Sequence, residues 1–396
     1  MRLLADENMV GLDALPREIE VHTAPGRAIN AELVKRFDAL WVRSVTPVDA
    51  GLIKGSRLRF VGSATAGLEH VDRAALDDAG IEFASAPGAN AMAVVEYVIA
   101  GLLAAERPWQ QLCAGASLGI VGYGNVGRRL AIFARAMGWE TRICDPWVAR
   151  DSARESGEGA AFVGLDRVLA CDVISLHCSL HREAPWPSFH LLDAQRLEAL
   201  AAEQWLVNAS RGAVIDNAAL RARIRSDDAP QLLIDVWEDE PELDWGLLEA
   251  PSLRVASAHI AGYSWDAKWA AVQQLLAAMH RAGLLSGTDT HLVTPPVEDL
   301  AADWPRCCVS PRDVMHAIYD PCEDDRRMRG LLSLARKERA AAFDGLRRDY
   351  RLRREVSAVL IERGEDGEQL TSDEGRRLVG ALRRAALEAA EEAADF

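Results

Sequence analysis

The chain has 396 residues, 49 % hydrophobic and 27 % charged, an ordinary globular composition long enough for two to three domains. Its formal charge of −15 argues against nucleic acid as a partner. Seven cysteines without a C-x-x-C pair, acids at Asp6 and Glu7 where a secretory leader would be apolar, and a longest apolar run (Val98–Ala105) too short for a bilayer argue against secretion and a membrane span, and point to the cytoplasm.

The first 90 residues alternate short apolar runs with turn or helical segments. RLLAD, ALWVRS, RFVGSATAG and IEFASAP read as strands whose ends carry polar or small residues, a pattern that favours parallel α/β layers. NAMAVVEYVIAGLLAAER reads as one long helix with Asn90 as its cap and Pro108 closing it. It is apolar on nearly every side and is expected to be buried. Six further strands follow: SLGIVG, ETRICD, DVISLH, QWLVNAS, QLLIDVW and LRVASAH. Between the first two, Val126, Leu130, Phe133 and Met137 fall at helical spacing. Strands alternating with helices predict a doubly wound parallel sheet.

Composition changes after residue 285. TPPVEDLAADWP is turn- and linker-like. In SPRDVMHAIYD, Ser310 is a helix cap, Pro311 takes the first helical position and Asp313 the first turn. RRLVGALRRAALEAAEEAADF reads as a closing helix with a frayed end. No internal repeat is visible.

Gly122-Tyr123-Gly124-Asn125-Val126-Gly127 gives G-x-G-x-x-G directly after a predicted strand and at the start of a predicted helix. Gly122 allows the tight turn, Gly124 lets backbone approach a pyrophosphate, and Gly127 permits close packing of helix on strand. Alone this motif is weak, because a glycine-rich turn often serves only structure. Asp145 closes the next strand, 18 residues beyond Gly127, where an acid takes the ribose hydroxyls of NAD and repels the 2′-phosphate of NADP. A strand-end aspartate can also simply cap a loop, and Arg142 and Arg150 lie close in sequence. The conjunction favours a dinucleotide site, with NAD as the cofactor.

Three polar residues follow successive predicted strands: Arg211 after QWLVNAS, Glu240 after QLLIDVW and His259 after LRVASA. In open α/β sheets, ligand-facing groups gather beyond the carboxyl ends of strands. A guanidinium holds a carboxylate through two parallel hydrogen bonds and polarises the adjacent carbonyl. Histidine exchanges a hydroxyl proton near neutrality, and a neighbouring glutamate favours the imidazolium. Taken singly, Arg211 reads as a solvated turn, His259 as a packed core residue and WEDEPEL as a surface loop. Their joint appearance downstream of a dinucleotide motif reverses that reading. No metal ligand set is read.

GYGNVGRRL, NASRGAVIDN, DVWEDEPEL and SAHIAGYS together resemble the D-2-hydroxyacid dehydrogenase family. DENM, VRSVT, ATAGLEHVD, APGANAMAVVEYV, HIAGY and AIYD…FDGLRRDYRLRREVS narrow the resemblance to a branch acting on a phosphorylated four-carbon acid, and extend it to about residue 360. The resemblance implies two Rossmann-like parallel-sheet domains with an α+β C-terminal dimerisation domain. Their limits are 1–93 plus 263–285 for substrate, 94–262 for NAD, and 286–396 for a homodimer contact. It implies oxidation of 4-phospho-D-erythronate at C2 by NAD, a step of pyridoxal 5′-phosphate biosynthesis.

Residue by residue, the resemblance makes Arg211 the carboxylate and carbonyl ligand, His259 the proton donor and acceptor, and Glu240 its partner. Ser44, Thr65 and Tyr263 match substrate contacts, and Arg43 is a natural phosphate ligand. Gly122, Gly124, Asn125, Val126, Gly127, Asp145, Asp235 and Gly262 match cofactor contacts, with Ala209, Ser210 and Arg211 beside the nicotinamide. One departure stands at His177-Cys178-Ser179-Leu180, where the family often has His-Thr-Pro-Leu. There Cys178, a weaker donor, replaces a threonine expected near the cofactor.

Overall fold

Among the described residues, eleven strands fall into two all-parallel sheets, and each sheet belongs to a separate compact unit. The computed structural model describes residues 1–65, 67–155, 162–285, 292, 310–368 and 370–394. The linker-like stretch 294–305 lies outside these residues, as does position 286, where the C-terminal region was expected to begin.

The first unit comprises 1–90 and 263–299. It holds β1 (Arg2–Asp6), β2 (Glu20–Ala24), β3 (Ala39–Val42), β4 (Phe60–Ser63) and β5 (Glu82–Ser85), in the order β2-β1-β3-β4-β5. β1, β3 and β4 are central and almost wholly buried, so they read in sequence as continuous apolar runs. β2 was not expected: at the sheet edge, its EVHTA alternates and stays half exposed. The Trp265–Arg281 helix, capped by the Ser264 side chain on Ala267 N–H, adds Trp269, Val272, Leu275 and Met279 to this unit's core.

The second unit comprises 91–262 and 300–396. Its strands are β6 (Ser117–Val121), β7 (Glu140–Cys144), β8 (Val173–Leu176), β9 (Trp205–Asn208), β10 (Gln231–Ile234) and β11 (Leu253–Ala256). They run in the order β11-β10-β9-β8-β6-β7, with the chain reversing direction across the sheet between β6 and β8. All six were legible as strands. The Ala91–Ala105 helix is buried over thirteen of its fifteen residues, as its all-round apolar surface requires. It ends at Ala105, and Pro108 does not close it. Instead Pro108 sits in the first turn of the next helix, Arg107–Cys113, where its missing N–H costs nothing.

The described elements after residue 310 are all helices. They cluster with the second unit through buried polar contacts. Glu96, inside the Ala91–Ala105 helix, accepts from Val356 N–H (2.7 Å), Ser357 N–H (2.8 Å) and Ser357 Oγ (2.7 Å). Three donors answer a carboxylate whose burial alone would cost several kcal/mol. Arg353 donates to the carbonyls of Ala93 and Ala261. The Pro321–Gly330 helix covers the β11 edge: Asp325 accepts from Ala256 N–H, and Arg329 donates to the carbonyls of Leu248 and Leu253. Among the described residues no helix is long and apolar enough to cross a membrane.

Candidate active site

The carboxyl ends of the second unit's strands carry every polar residue singled out there. After β6, Gly122 has φ +94°, and a Cβ on it would lie 2.6 Å from Cys178 N and 2.7 Å from the His177 carbonyl carbon. A Cβ on Gly127 would lie 1.9 Å from Gly122 O. Both glycines are therefore demanded by the chain itself. Gly124 differs: it starts the Asn125–Met137 helix with no side-chain cap, and its Cβ would meet nothing within 4 Å.

The open side at Gly124, with the helix-start amides of Asn125, Val126 and Gly127, fits a dinucleotide pyrophosphate. Asp145, after β7, accepts from Tyr123 N–H (2.8 Å) and from Trp147 and Val148 N–H (3.1 Å each), so it anchors the glycine turn. Arg142 is hydrogen-bonded to Glu140, and Arg150 stacks on Trp147, so neither nearby arginine is set aside for a 2′-phosphate. After β8, burial pushes the Cys178 thiol up to about 12 and His177 down to about 3. Cys178 is thus an inert protonated thiol, and His177 a neutral ring on Ser175 Oγ (2.8 Å).

The turn after β9 is templated by Asn208, which sequence reading missed. Its Oδ1 accepts from Ser210 N–H and Oγ, and its Nδ2 donates to Arg211 O. Arg211 itself lies in extended conformation (φ −139°, ψ 143°) and donates to Ser210 O (2.8 Å), with Ala209 preceding. The space at Gly212 goes to the chain's own backbone: a Cβ there would lie 1.9 Å from the Trp237 carbonyl carbon. That contact ties the Arg211 turn to the loop after β10.

A further brace is His190, which lies in left-handed conformation (φ 50°), donates its N–H to Ala213 O and pairs through Nε2 with Glu238 (2.6 Å). His190, Asp216 and Glu238 lie close enough to share a cation. Each of them is already hydrogen-bonded within the chain.

Glu240 and His259 meet directly, with Nδ1 2.8 Å from Oε2. The other Glu240 oxygen accepts from Trp237 N–H (2.8 Å). His259 has φ +55°, a conformation held by its N–H on Asp235 O (2.7 Å). Asp235, 1 % exposed, then accepts from Ser257 Oγ, Ile260 N–H and Ala261 N–H, fixing the His259 loop as far as Ala261. Asp235, expected among the cofactor contacts, thus also braces the His259 loop.

The His259 side chain is 33 % exposed and Glu240 16 %, so the imidazole opens outward while the carboxylate is enclosed behind it. Burial alone would raise the Glu240 pKa. His259 and Arg347 nevertheless hold it below the ordinary carboxylate value. Arg347 comes from the Arg336–Arg348 helix, its Nη1 3.9 Å from Glu240 Oε2. It lies within FDGLRRDYRLRREVS, but a partner 107 residues away leaves no local signal.

In the first unit, Asp6 ends β1, Arg43 follows β3 and Thr65 follows β4. Arg43 Nη2 donates to Tyr263 Oη (2.8 Å), and Nη1 lies 3.8 Å from Asp6 Oδ1. Thr65 Oγ1 bonds Ser63 Oγ (2.9 Å), which reaches His70 (3.0 Å), while Ser44 is exposed. The structure therefore joins Arg43 to Tyr263 and sets Thr65 in its own hydroxyl chain.

Residues 97–261 match the family model of the D-isomer specific 2-hydroxyacid dehydrogenase NAD-binding domain, and 308–373 match a domain of unknown function. A protein of Stutzerimonas stutzeri named erythronate-4-phosphate dehydrogenase is 41 % identical over 94 % of this chain and 97 % of its own length. One of the same name from Pseudomonas entomophila is 41 % identical over 96 % of this chain and all of its own. Among solved structures, the TT0316 protein of Thermus thermophilus superposes with a TM-score of 0.59 at 25 % identity, over 71 % of this chain and 97 % of that one. D-lactate dehydrogenase of Aquifex aeolicus, a likeness of fold, gives 0.56 at 20 %, over 72 % and 96 %.

Proposed function

The chain belongs to the D-isomer specific 2-hydroxyacid dehydrogenases and, within them, to the erythronate-4-phosphate dehydrogenase family. On that premise we propose that it oxidises 4-phospho-D-erythronate at C2 to 3-hydroxy-2-oxo-4-phosphobutanoate, with NAD as cofactor. The same premise assigns that step to pyridoxal 5′-phosphate biosynthesis. The observation that carries the reading is the Glu240–His259 pair at 2.8 Å, on the ends of neighbouring strands β10 and β11 and next to the Arg211 turn on β9.

NAD, when bound, supplies the acceptor for the C2 hydride. Gly122, Gly124, Asn125, Val126, Gly127, Asp145, Cys178, Ala209, Ser210, Arg211, Asp235 and Gly262 would hold it. A proton on His259 Nδ1 faces the Glu240 carboxylate, which leaves Nε2 to take the C2 hydroxyl proton and to return it in the reverse direction. Glu240, kept ionised, stabilises the imidazolium as that proton arrives. Arg211 holds the substrate carboxylate through paired hydrogen bonds and draws electron density from the forming C2 carbonyl. Arg43, Ser44, Thr65 and Tyr263 are the substrate contacts of the first unit.

The helical region after 310 is the homodimer contact in this reading. The five described cysteines are all unpaired thiols, which suits the reducing cytoplasm. The test is NADH formation by the purified chain with 4-phospho-D-erythronate, beside D-erythronate, 3-phosphoglycerate and glycerate, with a 2-oxo acid present to reoxidise bound NADH. The phosphorylated four-carbon acid is expected to show the highest kcat/KM. Equal values with and without phosphate would overturn the substrate assignment.

A further inference from the structure

Among the described residues, the first unit brings two cations up to a single acid. Lys268, in the first turn of the Trp265–Arg281 helix, places Nζ 5.3 Å from the centre of the Tyr263 ring. Arg43 places its guanidinium carbon 5.5 Å from the same ring and donates to its hydroxyl. Asp6, at the end of β1, is the acid that faces both, and it lies 3.8 Å from Arg43. Among the described residues the Lys268 ammonium forms no hydrogen bond or ion pair. The lysine is partly buried, so water screens this repulsion less than at an open surface. Two cations against one carboxylate leave a surplus charge that a folded chain does not assemble for stability alone.

We infer that Lys268 and Arg43 form a phosphate-monoester subsite, with Tyr263 as the spacer that holds the two cations apart. Arg43 offers a planar fork, already oriented by Tyr263 Oη, and Lys268 a point charge, so together they suit a dianion with three equivalent oxygens. Lys268 is thereby a specificity residue that selects the phosphorylated acid. This assignment rests on the reaction proposed above for the substrate that carries the phosphate. The binding of a phosphate ion by the pair is independent of it.

Burial, with the Arg43 charge beside it, lowers the Lys268 pKa to about 8, while Asp6 opposes the shift. Anion affinity is accordingly full below that value and lost as pH rises through it, in a range where phosphate is already a dianion.

The experiment titrates inorganic phosphate into the full-length chain by calorimetry, on wild type, Lys268→Met and Lys268→Arg, from pH 7 to pH 9. We expect Lys268→Met to weaken phosphate about 10-fold or more, the worth of one charge-assisted hydrogen bond. Lys268→Arg should keep the affinity and remove the decline above pH 8, because arginine does not titrate there. Wild-type affinity and pH dependence in Lys268→Met, with NADH binding intact, would overturn the subsite. In parallel, the kcat/KM ratio of 4-phospho-D-erythronate to D-erythronate should fall about as far as the phosphate affinity does. If wild type binds phosphate through Lys268 yet turns over neither acid, the proposed reaction fails and the subsite stands.

Discussion

The two units treat charge in opposite ways. In the second, the Glu240–His259 pair and Asp235 are each answered inside the chain: His259 by Glu240, Glu240 also by Arg347, and Asp235 by three donors. In the first, Arg43 and Lys268 share one carboxylate. Charges settled within the chain fix geometry, which bond-making needs, because a proton must move along one defined direction. Charges left in surplus bind. On this contrast, substitutions in the second unit act on kcat whatever the acid, and substitutions in the first act on the choice of acid.

The largest effect is expected from Arg211→Ala, with kcat/KM lower by about 10^3-fold or more for every 2-hydroxy acid tested. NADH binding, read by fluorescence titration, should survive, and near wild-type turnover would break the contrast at once. His259→Gln removes the proton acceptor and should lower kcat by about 10^2- to 10^3-fold.

Arg347→Met is expected to be milder, about 10-fold in kcat, because it touches Glu240 only at 3.9 Å. Arg347→Lys should recover part of the loss, which a purely packing role would not allow. The smallest stability effect belongs to Gly124→Ala, whose Cβ meets no chain atom. Its melting temperature should stay near wild type while NADH affinity drops. Gly127→Ala, pressed to 1.9 Å from Gly122 O, should instead lower the melting temperature first.

Much of this was legible in the sequence, for physical reasons. Of the eleven described strands, ten were read as strands, the central ones because a parallel sheet covered on both faces makes them apolar runs. β2 escaped because its EVHTA, half exposed along its length, carries no two apolar residues in a row. The positions of the glycines, Asp145, Arg211, Glu240 and His259 after strands were legible because strand ends in a doubly wound sheet are marked by the strands themselves.

Pro108 was misread because a proline that stops one helix and one that starts another look alike in a single chain. Asn208, Arg347 and Lys268 were not visible at all. Asn208 reads as strand, and the other two matter only through partners brought close by folding. The union of the C-terminal helices with the second unit depends likewise on Glu96 and Arg353, whose partners lie about 260 residues off in sequence.

The most direct test is a side-by-side measurement of kcat/KM for 4-phospho-D-erythronate and D-erythronate on wild type, His259→Gln and Lys268→Met. Division of the work predicts that His259→Gln lowers both values by the same factor and leaves their ratio unchanged, while Lys268→Met collapses the ratio. A ratio that moves with His259 and not with Lys268 would contradict it.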